Sequence, residues 1–224
     1  MSKIEAVALD FDGTLYSFES IKRPFLMRYW YRAKSLRAFL RARQAMREER
    51  FAGPEDMLDF QDRWVADRLN ISTVKARARF EKLMIQGLAN CLKPSRQRLG
   101  LEDFLRTCIE QDIKIILISD LPIEEKLQAI GLAHLPWAAK VAADDIGVLK
   151  PRPEIFQTAF EQAKCDPANS IYIGDREDTD GEGAFGLDMT FIQMATTSRK
   201  KMDQFIKSDW PVFQNFEQVS SYLF

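Results

Sequence analysis

Three apolar runs in this chain each stop on an acid or a hydroxyl. The run that opens at Ala6 ends in Asp10-Phe11-Asp12-Gly13-Thr14, the run Ile115-Ile116-Leu117-Ile118 ends in Ser119-Asp120, and the run after Ser170 ends in Gly174-Asp175. Buried strands that finish this way bring their polar groups together at the carboxyl edge of a sheet, where open α/β sheets bind ligands. Helix capping accounts for any one Asp or Ser in such a place. Three together, one of them a paired Asp-x-Asp, ask for a site. Short Val- and Ile-rich runs alternate with amphipathic segments in the same parts of the chain, which predicts an α/β fold with a doubly wound, mostly parallel, Rossmann-like sheet. Strands are expected at Ala6–Phe11, Lys114–Ser119, Lys140–Ala143, Ser170–Ile173 and Met189–Ile192, with helices near 101–112, 123–130, 153–164 and 181–186.

From Arg23 to about Leu92 the pattern is helical instead. Pro24 and Pro54 stand where a first helical turn can start, and Ser72 fits an N-cap. Phe25 to Arg50 does not follow one apolar stripe, so a bend or break is expected there. The domain organisation is therefore a core of residues 1–15 and 94–224 carrying an inserted all-helical domain, 16–93. Charge divides the chain unevenly: residues 22–50 hold ten Lys/Arg and two Glu, a net +8, while the rest is net −9. The two parts are not built for the same task.

Composition narrows the chemistry. The one histidine, His134, sits in Gly131-Leu132-Ala133-His134-Leu135-Pro136 with no Gly-x-Ser-x-Gly elbow, which excludes a multi-histidine zinc site and argues against a Ser-His-Asp triad. Three cysteines without a Cys-x-x-Cys pair suit a reducing cytoplasm and exclude a disulfide framework. No leader pattern precedes Glu5, and no apolar run nears the ~18 residues of a membrane span. A cytoplasmic protein, monomeric or homodimeric and without a membrane partner, is the expectation.

Catalysis must then lean on carboxylates, hydroxyls and lysines. Asp10 and Asp12, two apart in an extended segment, point to one face before Gly13 turns the chain. Neighbouring carboxylates repel unless a cation intervenes. With Asp175 and either Asp178 or Asp180 they make a hard, oxygen-rich set that favours Mg²⁺ over zinc or copper. Lys150, ahead of a helix near Pro153, adds a point charge. A carboxylate nucleophile, a second carboxyl, Mg²⁺ and a lysine suit phosphoryl transfer.

In their order these residues resemble the four motifs of the haloacid dehalogenase superfamily, on its phosphatase side: Asp10-Phe11-Asp12-Gly13-Thr14-Leu15, Ser119, Lys150-Pro151, and Gly174-Asp175 followed by Asp180. The resemblance covers about 1–15 and 94–224; residues 16–93 fit the family's helical cap by position and size. It implies a phosphatase for a small phosphorylated metabolite working through an aspartyl-phosphate. Asp10 would be the nucleophile, and Asp12 the acid that protonates the leaving oxygen and later activates water. Thr14, Ser119 and Lys150 would hold the phosphoryl oxygens. Asp10, Asp12 through its main-chain carbonyl, Asp175 and Asp180 would bind Mg²⁺. The family's commoner spacing favours Asp180 over Asp178. Asp120 departs from the Asn often found after the second motif.

Competing readings are a phosphotransferase or mutase on the same fold, and a protein whose basic segment binds nucleic acid or an acidic partner. The intact carboxylate set favours the enzyme. Arginines of 22–50 that face the cleft would steer anionic substrates, and Phe25, Tyr29, Trp30, Tyr31 and Phe39 would mostly form the cap's small core. Gly181-x-Gly183-x-x-Gly186 copies a dinucleotide fingerprint but begins too long after the strand at 170–173 to serve as one.

Overall fold

The computed structural model describes residues 4–195 and 210–224. Met1-Ser2-Lys3, read above for a leader, and residues 196–209 of the expected core lie outside them. The strands are β1 (Ala6–Leu9), β2 (Lys114–Ser119), β3 (Ala139–Ala142), β4 (Ser170–Gly174), β5 (Thr190–Met194) and β6 (Val212–Phe213). They form one parallel sheet in the order β3-β2-β1-β4-β5-β6. The chain order reverses at β1, which creates the crevice where such sheets hold ligands. Leu9 registers with Leu117 on one side and Ile173 on the other. The residues just beyond all three therefore emerge at one edge.

Alternation along the strands sorts side chains onto two faces. Val7, Leu9, Ile115, Leu117, Ile171 and Ile173 belong to one apolar cluster, and Ala6, Ala8, Ile116, Ile118 and Tyr172 to the other. Ala6 and Ala8 are small, and the second cluster is filled by Phe156 and Phe160 of the helix Pro153–Ala163. That helix starts with proline at its first turn, where no N–H is needed, and Glu154 meets its positive end.

The inserted helices lie between β1 and β2: α1 (Phe18–Tyr29), α2 (Ala33–Met46), α3 (Pro54–Leu69), α4 (Thr73–Phe80) and α5 (Gln86–Ala89). The break expected between Phe25 and Arg50 is the short 3₁₀ turn Trp30–Arg32. Ser72 caps α4, accepting the Lys75 N–H at 3.3 Å, and Pro54 opens α3. Pro24 does not open a helix; it lies inside α1. Proline cannot donate to the carbonyl four residues back, and the Arg96 guanidinium donates to that Ser20 oxygen instead. Phe25, Tyr29 and Phe39 are core, as expected, while Trp30 and Tyr31 are exposed.

Two boundaries move for reasons that concern the site. β1 stops at Leu9 and not at Phe11, because the Leu15 N–H turns back to the Phe11 carbonyl at 3.1 Å. The helix expected at 181–186 is preceded by a wide π turn, Glu177–Gly181, in which the Gly181 N–H reaches the Arg176 carbonyl at 3.1 Å. Such wide turns recur at functional sites.

Candidate active site

Asp10 is the first side chain past β1 and is 5% exposed. Its Oδ1 lies 2.6 Å from Lys150 Nζ, and its Oδ2 accepts the Thr14 hydroxyl at 2.9 Å. Lys150 Nζ also donates to Asp180 Oδ1 at 2.6 Å and to Tyr172 Oη at 3.3 Å. Tyr172, in the middle of β4, donates its own hydroxyl to Asp180 Oδ1 at 3.2 Å. Asp175 follows β4, and Asp180 hangs from the wide turn, where its Oδ2 accepts the Arg176 N–H at 3.1 Å. One carboxylate oxygen each of Asp10, Asp175 and Asp180 lie within 4.8 Å of one another. Asp178, by contrast, is exposed and paired with Arg176 at 2.5 Å.

Three buried carboxylates face one lysine, so negative charge is left over. Burial pushes the Asp10 carboxyl from 3.8 up to about 7; Lys150 opposes the rise, and Asp180 and Asp12 add to it. Asp175 is held well above the usual carboxylate range by burial, then by Asp10 and Asp180. Burial alone would lower the Lys150 ammonium, but Asp10 and Asp180 hold its pKa well above 10.5. An all-oxygen, anionic, partly desolvated set of this kind fits a hard divalent cation.

Gly13 makes the close approach possible. Its φ is +101°, and a Cβ there would stand 2.1 Å from Asp175 Oδ2. The turn it makes is clasped by Arg98, whose guanidinium donates to the carbonyls of Gly13 at 2.6 Å, Thr14 at 3.0 Å and Ala195 at 2.9 Å.

Asp12 stands apart from the trio. Tyr16 donates its hydroxyl to Asp12 Oδ1 at 2.8 Å, and the Lys126 ammonium pairs with Oδ2. Lys126 is wholly buried, its Nζ 4.4 Å from the centre of the Phe11 ring. Thr14 and Ser119 are also wholly buried. The Thr14 hydroxyl is spent on Asp10, and Ser119 Oγ accepts the Leu121 N–H at 3.1 Å.

The cleft above Asp10 has a volume of about 160 Å³. Its far wall is cap: Phe18, Leu40, Arg43, Arg47 and Met84. Arg43 reaches Asp144 Oδ1 at 2.5 Å, the Asp120 carbonyl at 2.9 Å and Gln61 Oε1 at 2.8 Å. Arg47 pairs with Asp120 Oδ2 and donates to the Lys150 carbonyl at 3.0 Å. Asp120 Oδ1 in turn accepts the Lys150 N–H at 3.0 Å. The acid that departs from the family's Asn is thus the joint between cap helix α2 and the lysine loop.

The sequence motifs do not reach Tyr16, Arg98, Lys126 or Tyr172, and give Arg43 and Arg47 no individual place. Lys126 and Arg43 did leave a signal. Each sits inside an apolar stripe at helical spacing, Ile123-Lys126-Leu127-Ile130 and Phe39-Ala42-Arg43-Met46, where a charge has to be paired.

An acid-rich crevice at the reversal point of a parallel sheet, roofed by inserted helices, is a place where open α/β sheets bind ligands. The family model for haloacid dehalogenase-like hydrolases matches residues 4–187, and the chain belongs to that family. Glyceraldehyde 3-phosphate phosphatase of Methanopyrus kandleri is 32% identical over 90 residues, 40% of this chain and 38% of its own. Haloacid dehalogenase-like hydrolase domain-containing protein 3 of Mus musculus is 29% identical over 93 residues, 40% of this chain and 36% of its own. The chain thus matches little more than a third of the length of either relative. The fold is shared along the whole chain with a haloacid dehalogenase hydrolase of Bacillus subtilis solved with magnesium bound, at TM-score 0.67, 14% identity and 99% coverage of both chains. A phosphatase of the same superfamily from Thermococcus onnurineus gives TM-score 0.59 and 20% identity, covering 98% of this chain and 97% of its own. Among the described residues no helix is long and apolar enough to cross a membrane.

Proposed function

We propose that the protein is a Mg²⁺-dependent phosphatase that hydrolyses a small phosphorylated metabolite through an aspartyl-phosphate on Asp10. The observation that carries this reading is the setting of two carboxylates that differ in kind. Asp10 is buried among Lys150, Thr14, Asp175 and Asp180, while Asp12 is held aside by Tyr16 and Lys126. Two acids of one motif in unlike surroundings suit two roles. The phosphatase named among the relatives supports a phosphate ester as substrate, and residues 16–93 serve as the cap over it.

Asp10, Asp175 and Asp180, with the main-chain carbonyl of Asp12, would hold the ion. When bound, Mg²⁺ supplies positive charge that offsets the carboxylates and the phosphoryl oxygens. A carboxylate oxygen of Asp10 forms a bond to phosphorus as the bond to the leaving oxygen breaks, and Asp12 gives that oxygen its proton. A water then bonds to phosphorus, passing a proton back to Asp12, and the bond to Asp10 breaks to release inorganic phosphate. Lys150 neutralises charge on Asp10 and on the transferring group, while Thr14 keeps the second Asp10 oxygen in place.

Hydrolysis of p-nitrophenyl phosphate with Mg²⁺ and with EDTA tests the proposal. Turnover should require the metal, and Asp10→Asn should abolish it. A folded Asp10→Asn protein with near-normal turnover would sink the mechanism.

A further inference from the structure

The space left for the leaving group is small, and among the described residues none of the cations lining it is spare. Its cap side offers the apolar faces of Phe18, Leu40 and Met84, with Leu121 opposite. Arg43 and Arg47 also line it, but their donors go to Asp144, Gln61, the Asp120 and Arg43 carbonyls, the Asp120 carboxylate and the Lys150 carbonyl. Arg176, at the rim, holds Asp178 through two bonds of 3.0 and 2.5 Å. Lys150 is committed to Asp10 and Asp180.

A substrate with a second anion would have to take an arginine from a carboxylate already paired with it. The carboxylate so released would face the incoming charge at close range. Like charges brought together in a cleft select strongly against a ligand. A compact, uncharged leaving group meets no such penalty and buries its carbons against Phe18, Leu40 and Met84.

On the phosphatase reading above, we infer that this site selects phosphomonoesters of short, uncharged alcohols and discriminates against those whose leaving group carries a carboxylate or a second phosphate. Arg43 of α2 and Arg47 at its end are then fasteners of the cap, not steering groups for a polyanion.

Two ligands of nearly equal size separate the possibilities, propylphosphonate and 3-phosphonopropionate, which differ in a terminal methyl against a carboxylate. Titration calorimetry on the full chain with Mg²⁺ should give at least a tenfold lower Kd for propylphosphonate. Equal affinity, or preference for the carboxylate, would overturn the inference. Leu40→Arg adds a cation with no carboxylate waiting for it, and should narrow or reverse the ratio. A ratio unmoved by that change would also count against the inference, because the cap wall would not be what the ligand tail meets. Turnover of propyl phosphate and phosphoglycolate is a separate measurement. If neither is hydrolysed, and p-nitrophenyl phosphate is not either, the phosphatase reading fails, while the two phosphonates still report on the cleft.

Discussion

At the scale of single residues, the pairing of Lys126 with Asp12 is the contact with the sharpest consequence. A wholly buried ammonium needs a polar partner, and here the partner is Asp12, the group proposed to give and take back a proton. Tyr16 holds the other oxygen, so the carboxylate has one orientation. Lys126→Met should leave the fold and Mg²⁺ binding in place and lower kcat. The loss should approach ~10²-fold for a poorly departing alkyl ester and be smaller for p-nitrophenyl phosphate, whose leaving group needs little protonation. Equal losses on both esters would show that Lys126 serves the structure only. At Asp10 itself the expected loss is larger, on the order of 10⁴-fold or more for Asp10→Asn, because a covalent nucleophile has no substitute.

Among elements, α2 matters most, since Arg43 within it and Arg47 at its end tie the cap to the loops after β2 and before Pro153. The Arg152 guanidinium returns the grip by donating to the Glu49 carbonyl just past α2. Close by, the backbone of Gly53 ahead of α3 lies against Gly147 of the core. Gly147 has a φ of +78°, and a Cβ there would stand 2.5 Å from the Gly53 carbonyl carbon. Gly147→Ala should therefore cost about 1–3 kcal/mol, read as a drop in the unfolding midpoint, and should shift KM more than kcat as the cap is displaced. Much at this scale was legible in advance. β2 was bounded correctly because its Ile-rich run is buried on both faces, and Pro153 marked its helix. Other elements were hidden. Two-residue β6 has no period to read, and Pro24 sits mid-helix because Arg96, distant in sequence, takes the bond it cannot make. For the site, acids at strand ends were visible since topology alone gathers them. Arg98 was not, because its partners are backbone carbonyls, which every residue has.

For the molecule as a whole, leftover negative charge links stability to pH and metal. A carboxyl whose folded pKa lies above its unfolded value stabilises the fold when protonated, and that contribution drains away as pH rises through the folded pKa. Asp10, at about 7 against 3.8, and Asp175, shifted the same way, both behave so. Lys150 adds no slope in this window, being charged in folded and unfolded chains alike below 10.5. In EDTA the melting temperature should fall from pH 5 to pH 8. Mg²⁺ should raise it by an increment that grows over the same range, since on the proposed reading the ion binds these carboxylates in their charged form in the folded state. Thermal melts at four pH values, with and without the ion, check both slopes. A constant Mg²⁺ increment would mean that the ion is held elsewhere.

The position of β1 has a consequence for synthesis. Ala6 pairs with Lys114 on one side and with Ser170 on the other, so the strand that presents Asp10 leaves the ribosome long before either neighbour exists. Contacts this distant in sequence slow folding and leave an unpaired strand exposed in the meantime. The helices of the cap, whose partners are close along the chain, can fold during that wait. A nascent chain stalled before residue 114 should therefore protect cap amides from hydrogen exchange while those of β1 exchange freely. In the cell, the segment carrying the proposed nucleophile would be a chaperone client until β4 emerges.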